Sequence, residues 1–136
     1  MQLSQHFHLS EFARSQTADE LGIRNVPPPE ATRRLGMLCH RVLEPIRARI
    51  LAPIHISSGY RSPALNAAVG GAPSSQHMRG EAADIWTGAM SADELFEVIK
   101  QVVPEWDQLY LHEVGGFVHV FYRVGACRNQ VLSPVT

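Results

Sequence analysis

The sequence predicts one α+β domain, with helices first and a small, mainly antiparallel sheet after them. The length of 136 residues and the hydrophobic content of 45% suit a single domain with one core. Residues 30–50 carry apolar side chains at helical spacing. Residues 107–124 instead form two alternating runs around a glycine pair, which predicts a hairpin. We therefore expect the N-terminal helices to pack on one face of the sheet.

The first helix is expected in "EFARS", with Ser10 as its N-cap and Glu11 in its first turn. The prolines of "NVPPPEAT" at 25–32 stop that helix, although the last of them can occupy the first turn of the next one. The main amphipathic helix follows, and Pro45 is expected to kink or divide it. Its apolar stripe consists of Leu35, Leu38, Val42 and Ile46. Cys39, in the same helix, is predicted to be a small core residue.

The middle of the chain alternates between short elements and loops. Residues 54–56 predict a short strand, and "SSGYRSP" after them is a loop. "ALNAAV" predicts about one helical turn that ends at the following glycine pair, and "EAADIW" predicts a second strand. Residues 91–103 predict a further helix, with Ser91 as N-cap and Glu94 at the capping-box position.

Composition and charge exclude several classes of function. The formal net charge of −1 does not indicate the basic surface that nucleic-acid binding requires. No apolar run approaches the ~18 residues of a membrane helix, so membrane insertion is not expected. The opening "MQLSQHFHLSEFARSQ" lacks the apolar core of a signal peptide, which predicts synthesis in the cytoplasm and export, if any, by another route. Two cysteines are too few for a disulfide framework.

The segment "SSQHMRGEAADIW" at 74–86 points to a metal site rather than to packing. His77 and Asp84 offer an imidazole nitrogen and a carboxylate oxygen, both good zinc ligands, and Gly80 between them allows a close turn. Catalytic zinc usually takes three protein ligands and leaves one position for water. The hairpin supplies a candidate third ligand in His119, which valines flank on a strand.

The same segment resembles the zinc D-Ala-D-Ala peptidases of the M15 family, which share a fold with the Hedgehog signalling domain. The family pattern Ser-x-His-x-x-Gly-x-Ala-x-Asp is matched without a gap by Ser75, His77, Gly80, Ala82 and Asp84. Phe117-Val118-His119 resembles the later strand that carries the family's third ligand. "HFHLSEF", "PPPE" and "SGYRSPALN" are similar to the phage and prophage endolysin-like branch. The resemblance covers nearly the whole chain and implies a single zinc peptidase domain over residues 1–136.

The resemblance also implies roles for individual residues. His77, Asp84 and His119 would hold one zinc ion, which would activate a water and polarise the scissile carbonyl. The arginine of the family's "GYRS" loop corresponds to Arg61, whose planar fork suits a substrate carboxylate or a developing oxyanion.

The general base is where the sequence departs from the family. Many members place a carboxylate three residues before the third ligand, and that position here is Gly116. A two-residue turn would set His112 opposite His119, whereas a three-residue loop would bring Glu113 to that face. A branch of the family carries its acid six residues before the histidine, as Glu113 is here. We therefore favour Glu113 as the general base, with His112 second. The remaining alternatives are that the acid comes from elsewhere in the chain or that it is missing.

The expected function is hydrolysis of D-Ala-containing stem or cross-link peptides of bacterial peptidoglycan, as a carboxypeptidase or an endopeptidase. The expected setting is phage or prophage lysis, in which a monomer without a signal peptide reaches the cell wall through a holin-type pore. The alternative is a non-catalytic wall-binding or virion-assembly module that keeps zinc as a structural staple. Gly116 is the feature that favours this alternative.

Overall fold

Six α-helices and five strands make up residues 1–132, the part of the chain that the computed structural model describes. The helices are α1 (Leu9–Ala13), α2 (Gln16–Leu21), α3 (Pro29–Leu38), α4 (Glu44–Ile50), α5 (Pro63–Ala68) and α6 (Ala92–Val102). The strands are β1 (His55–Ser58), β2 (Ala82–Trp86), β3 (Gln108–His112), β4 (Phe117–Phe121) and β5 (Gln130–Leu132). The predicted α+β class is confirmed.

The N-terminal segment forms two short helices, and the predicted cap of the first is wrong. His8 caps α1, because its imidazole accepts from the backbone N–H of Ser10 at 3.1 Å. The carboxylate of Glu11 in turn accepts from the His8 N–H at 2.7 Å, which completes a capping box. Ser15 is the N-cap of α2, because its hydroxyl accepts from the N–H of Ala18 at 3.2 Å.

The main helix is divided just before Pro45, as expected. Pro29 occupies the first turn of α3, and Cys39–Leu43 forms a π-helical turn between α3 and α4. The N–H of Glu44 donates to the carbonyl of Cys39, five residues back, while Pro45 has no N–H to continue the regular ladder. The predicted apolar stripe keeps facing inward through this turn. Its four members are fully buried: Leu35, Leu38, Val42 and Ile46.

The sheet has the strand order β1-β2-β4-β3-β5, and its pairs are antiparallel except for the parallel pair β3–β5. One face packs against the helices to form the core. Its buried side chains come from alternate strand positions: Ile85, Leu109, Leu111, Val118 and Val120. Because side chains alternate along a strand, the positions between them face away from the core. That second face carries Asp84 and His119, which lie opposite each other.

The remaining helices and strands are found close to their predicted positions, except that β1 extends to Ser58, into the segment predicted as a loop, and that one strand was missed. Ser91 and Glu94 form the predicted capping box at the start of α6. The short strand β5 was not predicted, because Gln130–Leu132 is exposed along its length and shows no alternation. Among residues 1–132, we find no helix with both the length and the apolar character needed to cross a membrane.

Candidate metal centre and active-site cleft

Two of the predicted ligands are brought together by strand register. Asp84 on β2 pairs with His119 on β4, so both side chains lie on the same face of the sheet. Nδ1 of His119 lies 2.5 Å from Oδ1 of Asp84. Ala83 and Ile85 on either side of Asp84 point into the core and are fully buried. The alternation of β2 therefore directs the carboxylate away from the core and towards the imidazole.

The third predicted ligand comes from the single turn of 3₁₀ helix Gln76–Arg79. Nε2 of His77 lies 3.4 Å from Oδ1 of Asp84. The other ring nitrogen, Nδ1, lies 2.7 Å from the carbonyl oxygen of Gly59. Since a carbonyl can only accept, Nδ1 must carry the proton, and Nε2 presents its lone pair towards Asp84. Metal-binding histidines are commonly oriented by such a bond from the second nitrogen.

These three side chains fit a metal ion. The candidate ligand atoms all lie within 4.8 Å of one another. Three buried atoms at this point find no hydrogen-bond partner among residues 1–132: Nε2 of His77, Oδ1 of Asp84 and Nδ1 of His119. Leaving a buried polar atom unsatisfied typically costs about 1–3 kcal/mol, and one cation would satisfy all three. Two imidazoles and one carboxylate form a donor set typical of zinc with an open position.

The charge state of Asp84 suits this role. Burial raises the pKa of its carboxyl, but imidazoles of His119 and His77 that donate to it or carry a positive charge lower the pKa to about 2. A cation bound at the same point would favour the carboxylate in the same way. The group is therefore a carboxylate at neutral pH, which is the form that binds a cation.

Small residues allow the turn with His77 to lie close to the rest of the fold. Gly80 ends the turn with a φ of +77°, and a Cβ there would collide with the carbonyl oxygen of Ala31 in α3. The hydroxyl of Ser75 accepts from the N–H of His77 at 3.3 Å. Gly80 and Ser75 both belong to the motif, and both stabilise the conformation of the turn that carries His77.

The candidate metal centre opens into a cleft of about 310 Å³. The cleft is lined by Arg61, Ala72, Ser74, Ser75, Gln76, His77, His119 and Phe121. The predicted substrate residue Arg61 is thus in the same cleft as two of the three ligands. Its backbone N–H donates to the carbonyl of His77 at 3.1 Å, and its Nη1 donates to Asn66 at 3.3 Å. Arg61 also lines a neighbouring cavity of about 320 Å³, which contains Arg14 and Tyr60.

The hairpin differs from both turns that were expected. His112 pairs with Phe117, so residues 113–116 form a four-residue connection rather than one of two or three. Gly116 takes a φ of +69°, and its N–H donates to the carbonyl of His112 at 2.9 Å. His112 and Phe117 form the last pair of the hairpin before the turn. Their rings stack, with centroids 4.7 Å apart.

The two candidates for proton transfer consequently lie in different places. His112 is on the face of His119, and their ring centroids are 6.0 Å apart. Glu113 is exposed in the turn and lines a separate cavity beside the start of α6, with Met90, Ser91 and Asp93. Its role as general base stays a prediction.

Comparison with known proteins agrees with this geometry. The family described as Peptidase M15 matches residues 5–121 of the chain. The chain belongs to this family. M15 peptidases are zinc-dependent metallopeptidases, and the matched range contains the three converging side chains. A search of curated proteins found no match.

Two residues next to the candidate metal ligands were missed by the sequence analysis. Tyr110 pairs with His119 in the β3–β4 ladder, and their ring centroids are 5.3 Å apart. Strand alternation before His112 could have indicated this position. Gln76 lines the cleft directly before His77, but no local pattern marked it out.

Proposed function

We propose that this M15 protein is a zinc-dependent peptidase that hydrolyses D-alanine-containing peptides of bacterial peptidoglycan, as a carboxypeptidase or an endopeptidase. The observation that carries the proposal is the convergence of three unsatisfied, buried ligand atoms at one wall of an open cleft. When bound, zinc would supply a Lewis acid for the scissile carbonyl and an activated water. Residues of the chain would orient the ligands, bind the substrate and transfer protons.

Orientation of the ligands is the first task of the protein. The carbonyl of Gly59 holds His77 in the tautomer that leaves Nε2 free. Strand register holds the carboxylate of Asp84 opposite His119, and Nε2 of His77 lies 3.4 Å from its Oδ1. The ligands are therefore arranged before a substrate binds, which limits the reorganisation required during the reaction.

Arg61 is proposed to hold the substrate. Within residues 1–132 its guanidinium makes one side-chain hydrogen bond, at 3.3 Å to Asn66, which leaves further donors for a ligand in either adjacent cavity. A stem peptide carries carboxylates, and a planar fork can bind one of them through two parallel bonds. A developing oxyanion is the other group that it could stabilise.

For proton transfer we propose Glu113 as the general base, with His112 as the alternative. Nδ1 of His112 accepts from the Gly115 N–H, so the neutral ring carries its proton on Nε2. That ring can donate a hydrogen bond to the carbonyl oxygen or the leaving amine. Glu113 remains our candidate for the general base, supported by its spacing of six residues from His119.

The proposed setting is phage or prophage lysis, with the protein acting as a monomer on the cell wall after release through a holin-type pore. The support is the resemblance of "HFHLSEF" and "SGYRSPALN" to the endolysin-like branch. A non-catalytic module with a zinc staple is the second candidate, because Gly116 occupies a position at which many M15 members carry an acid.

The test is turnover by purified protein with and without zinc, on murein sacculi and on a peptide that ends in D-Ala-D-Ala. We expect about one zinc per chain and products released only by the loaded protein. Single D-Ala residues would indicate a carboxypeptidase, and opened cross-links an endopeptidase. The matching L-Ala-L-Ala peptide tests the stereochemical preference.

Two variants give that experiment its controls. His119→Ala should lose both zinc and turnover, whereas His55→Ala, at an exposed position on β1, should keep both. Wild-type protein that binds zinc but releases no product from any of these substrates would favour the non-catalytic module.

A further inference from the structure

Asp107 is a fully buried carboxylate outside the metal centre, placed directly before β3. Its two oxygens accept four hydrogen bonds, so the buried charge is well satisfied. Three of these bonds come from Arg128 and one from Gln76. The carboxylate therefore links a C-terminal residue to the turn that carries a metal ligand.

The bond to Arg128 is a bidentate ion pair. Nε donates to Oδ1 at 2.8 Å, Nη2 donates to Oδ2 at 2.9 Å, and the Arg128 backbone N–H donates to Oδ1 at 3.2 Å. The guanidinium lowers the pKa of Asp107 more than burial raises it. A charge pair of this geometry is strong and directional.

Arg128 is held in place by the segment around it. The N–H of Asn129 donates to the Trp106 carbonyl at 2.8 Å, and Asn129 Oδ1 accepts from the Trp106 N–H at 3.0 Å. The N–H of Gln130 donates to the carbonyl of Asp107 at 3.0 Å, where β5 begins to pair with β3. This segment lies beyond residue 121, where the match to the M15 family ends.

The fourth bond reaches the active-site cleft. Nε2 of Gln76 donates to Oδ2 of Asp107 at 3.0 Å. Gln76 lines the cleft, and the next residue in the chain is the candidate ligand His77. Fixing the carboxamide of Gln76 therefore restrains the turn from which His77 projects towards Asp84.

We propose that Asp107 is a positioning residue of the metal centre, and that the C-terminal segment serves as its clamp. Arg128 holds the Asp107 carboxylate, the carboxylate holds Gln76, and Gln76 holds the His77 turn. The inference rests on the proposed zinc site. Groups that orient metal ligands from outside typically contribute about 10–100-fold to metal affinity.

The test is zinc affinity, measured by competition with a chromogenic chelator. Gln76→Ala breaks the link to the turn and leaves the Asp107–Arg128 pair intact. We expect its zinc dissociation constant to rise by about 10–100-fold, while the denaturant midpoint of the metal-free protein stays that of wild type. A purely structural ion pair would not produce this combination.

Gln108→Ala is the matched control. It removes the exposed bond at 2.9 Å between Gln108 and Gln130, which also ties the C-terminal segment to β3. Its zinc affinity should equal that of wild type. Arg128→Ala should weaken zinc binding, and Arg128→Lys should restore part of the loss because it keeps the charge.

The two proposals fail separately. Wild-type zinc affinity in Gln76→Ala would overturn the positioning role of Asp107, whatever the enzyme does with peptides. Zinc binding without turnover in the wild-type protein would overturn the peptidase function, but it would leave the affinity comparison fully informative.

Discussion

The backbone N–H of Gly115 donates to Nδ1 of His112 at 2.9 Å, and this bond determines which ring nitrogen carries the proton. A Cβ at residue 115 would lie 2.8 Å from that nitrogen and would collide with the ring of Phe117. A larger residue at this position would force the stacked rings or the turn to shift. Nε2 of the neutral His112 carries the proton and can act as a donor.

Glu113→Gln and His112→Ala should have different kinetic signatures. Loss of a general base typically lowers turnover by about 10²–10⁴-fold, and loss of an oxyanion donor by about 10²–10³-fold. We expect both variants to keep their zinc, and the larger loss of turnover to occur in Glu113→Gln. Full activity in Glu113→Gln would exclude it as the base.

Arg61→Lys should impair catalysis without affecting the metal. Lysine keeps the charge but loses the bidentate fork, so kcat/KM should fall by an amount equivalent to roughly 1–3 kcal/mol. Zinc content, measured on the same preparation, should be unchanged. Arg24→Lys at an exposed position is the control and should behave as wild type. Equal kinetics for the two variants would remove Arg61 from the substrate site.

Gly80→Ala and Gly36→Ala should shift stability in opposite directions. Gly80 has a φ of +77°, and a Cβ there would collide with the Ala31 carbonyl oxygen, so the substitution should destabilise the protein by about 1–3 kcal/mol. Gly36 lies within α3, where an added methyl group would meet no atom within 4 Å, and alanine should stabilise the helix by about 0.5–1 kcal/mol. Urea unfolding measures both values. A neutral Gly80→Ala would show that α3 can move away from the turn.

Asp107 should make stability depend on acidic pH. Its ion pair with Arg128 holds the pKa below the ordinary value of 3.8, against the opposing effect of burial. The carboxylate therefore stabilises the fold fully at pH values well above 3.8, and this contribution is lost as pH falls through the lower folded-state pKa. Unfolding free energies between pH 6 and about pH 2 should fall less steeply for Asp107→Asn than for wild type. Parallel curves would contradict this.

Local patterns determined much of the secondary structure. The capping box of Ser91 and Glu94 and the apolar stripe of the main helix are confirmed, because both depend on residues three or four positions apart. The cap at Ser10 was wrong because an imidazole, that of His8, accepted the bond instead. The strand β5 left no local signal, since pairing with β3 alone makes it a strand.

The sequence by itself also determined the family and the chemical nature of the candidate metal site. His77, Asp84 and His119 could be selected from residue type, spacing and motif. Their convergence depends on tertiary structure, because strand register sets Asp84 opposite His119 and the carbonyl of Gly59 orients His77. These are contacts between distant parts of the chain, for which no periodic pattern exists.

Tertiary structure alone decided the hairpin length and the link from Asp107 to the metal-site turn. The hairpin closes at His112 and Phe117, whose rings stack, and so has a four-residue connection where spacing allowed shorter ones. Asp107 lies 31 residues from Gln76 and 21 from Arg128. The packing of the sheet, the metal-site turn and the C-terminal segment sets the distances between these side chains, and no local pattern contains that information.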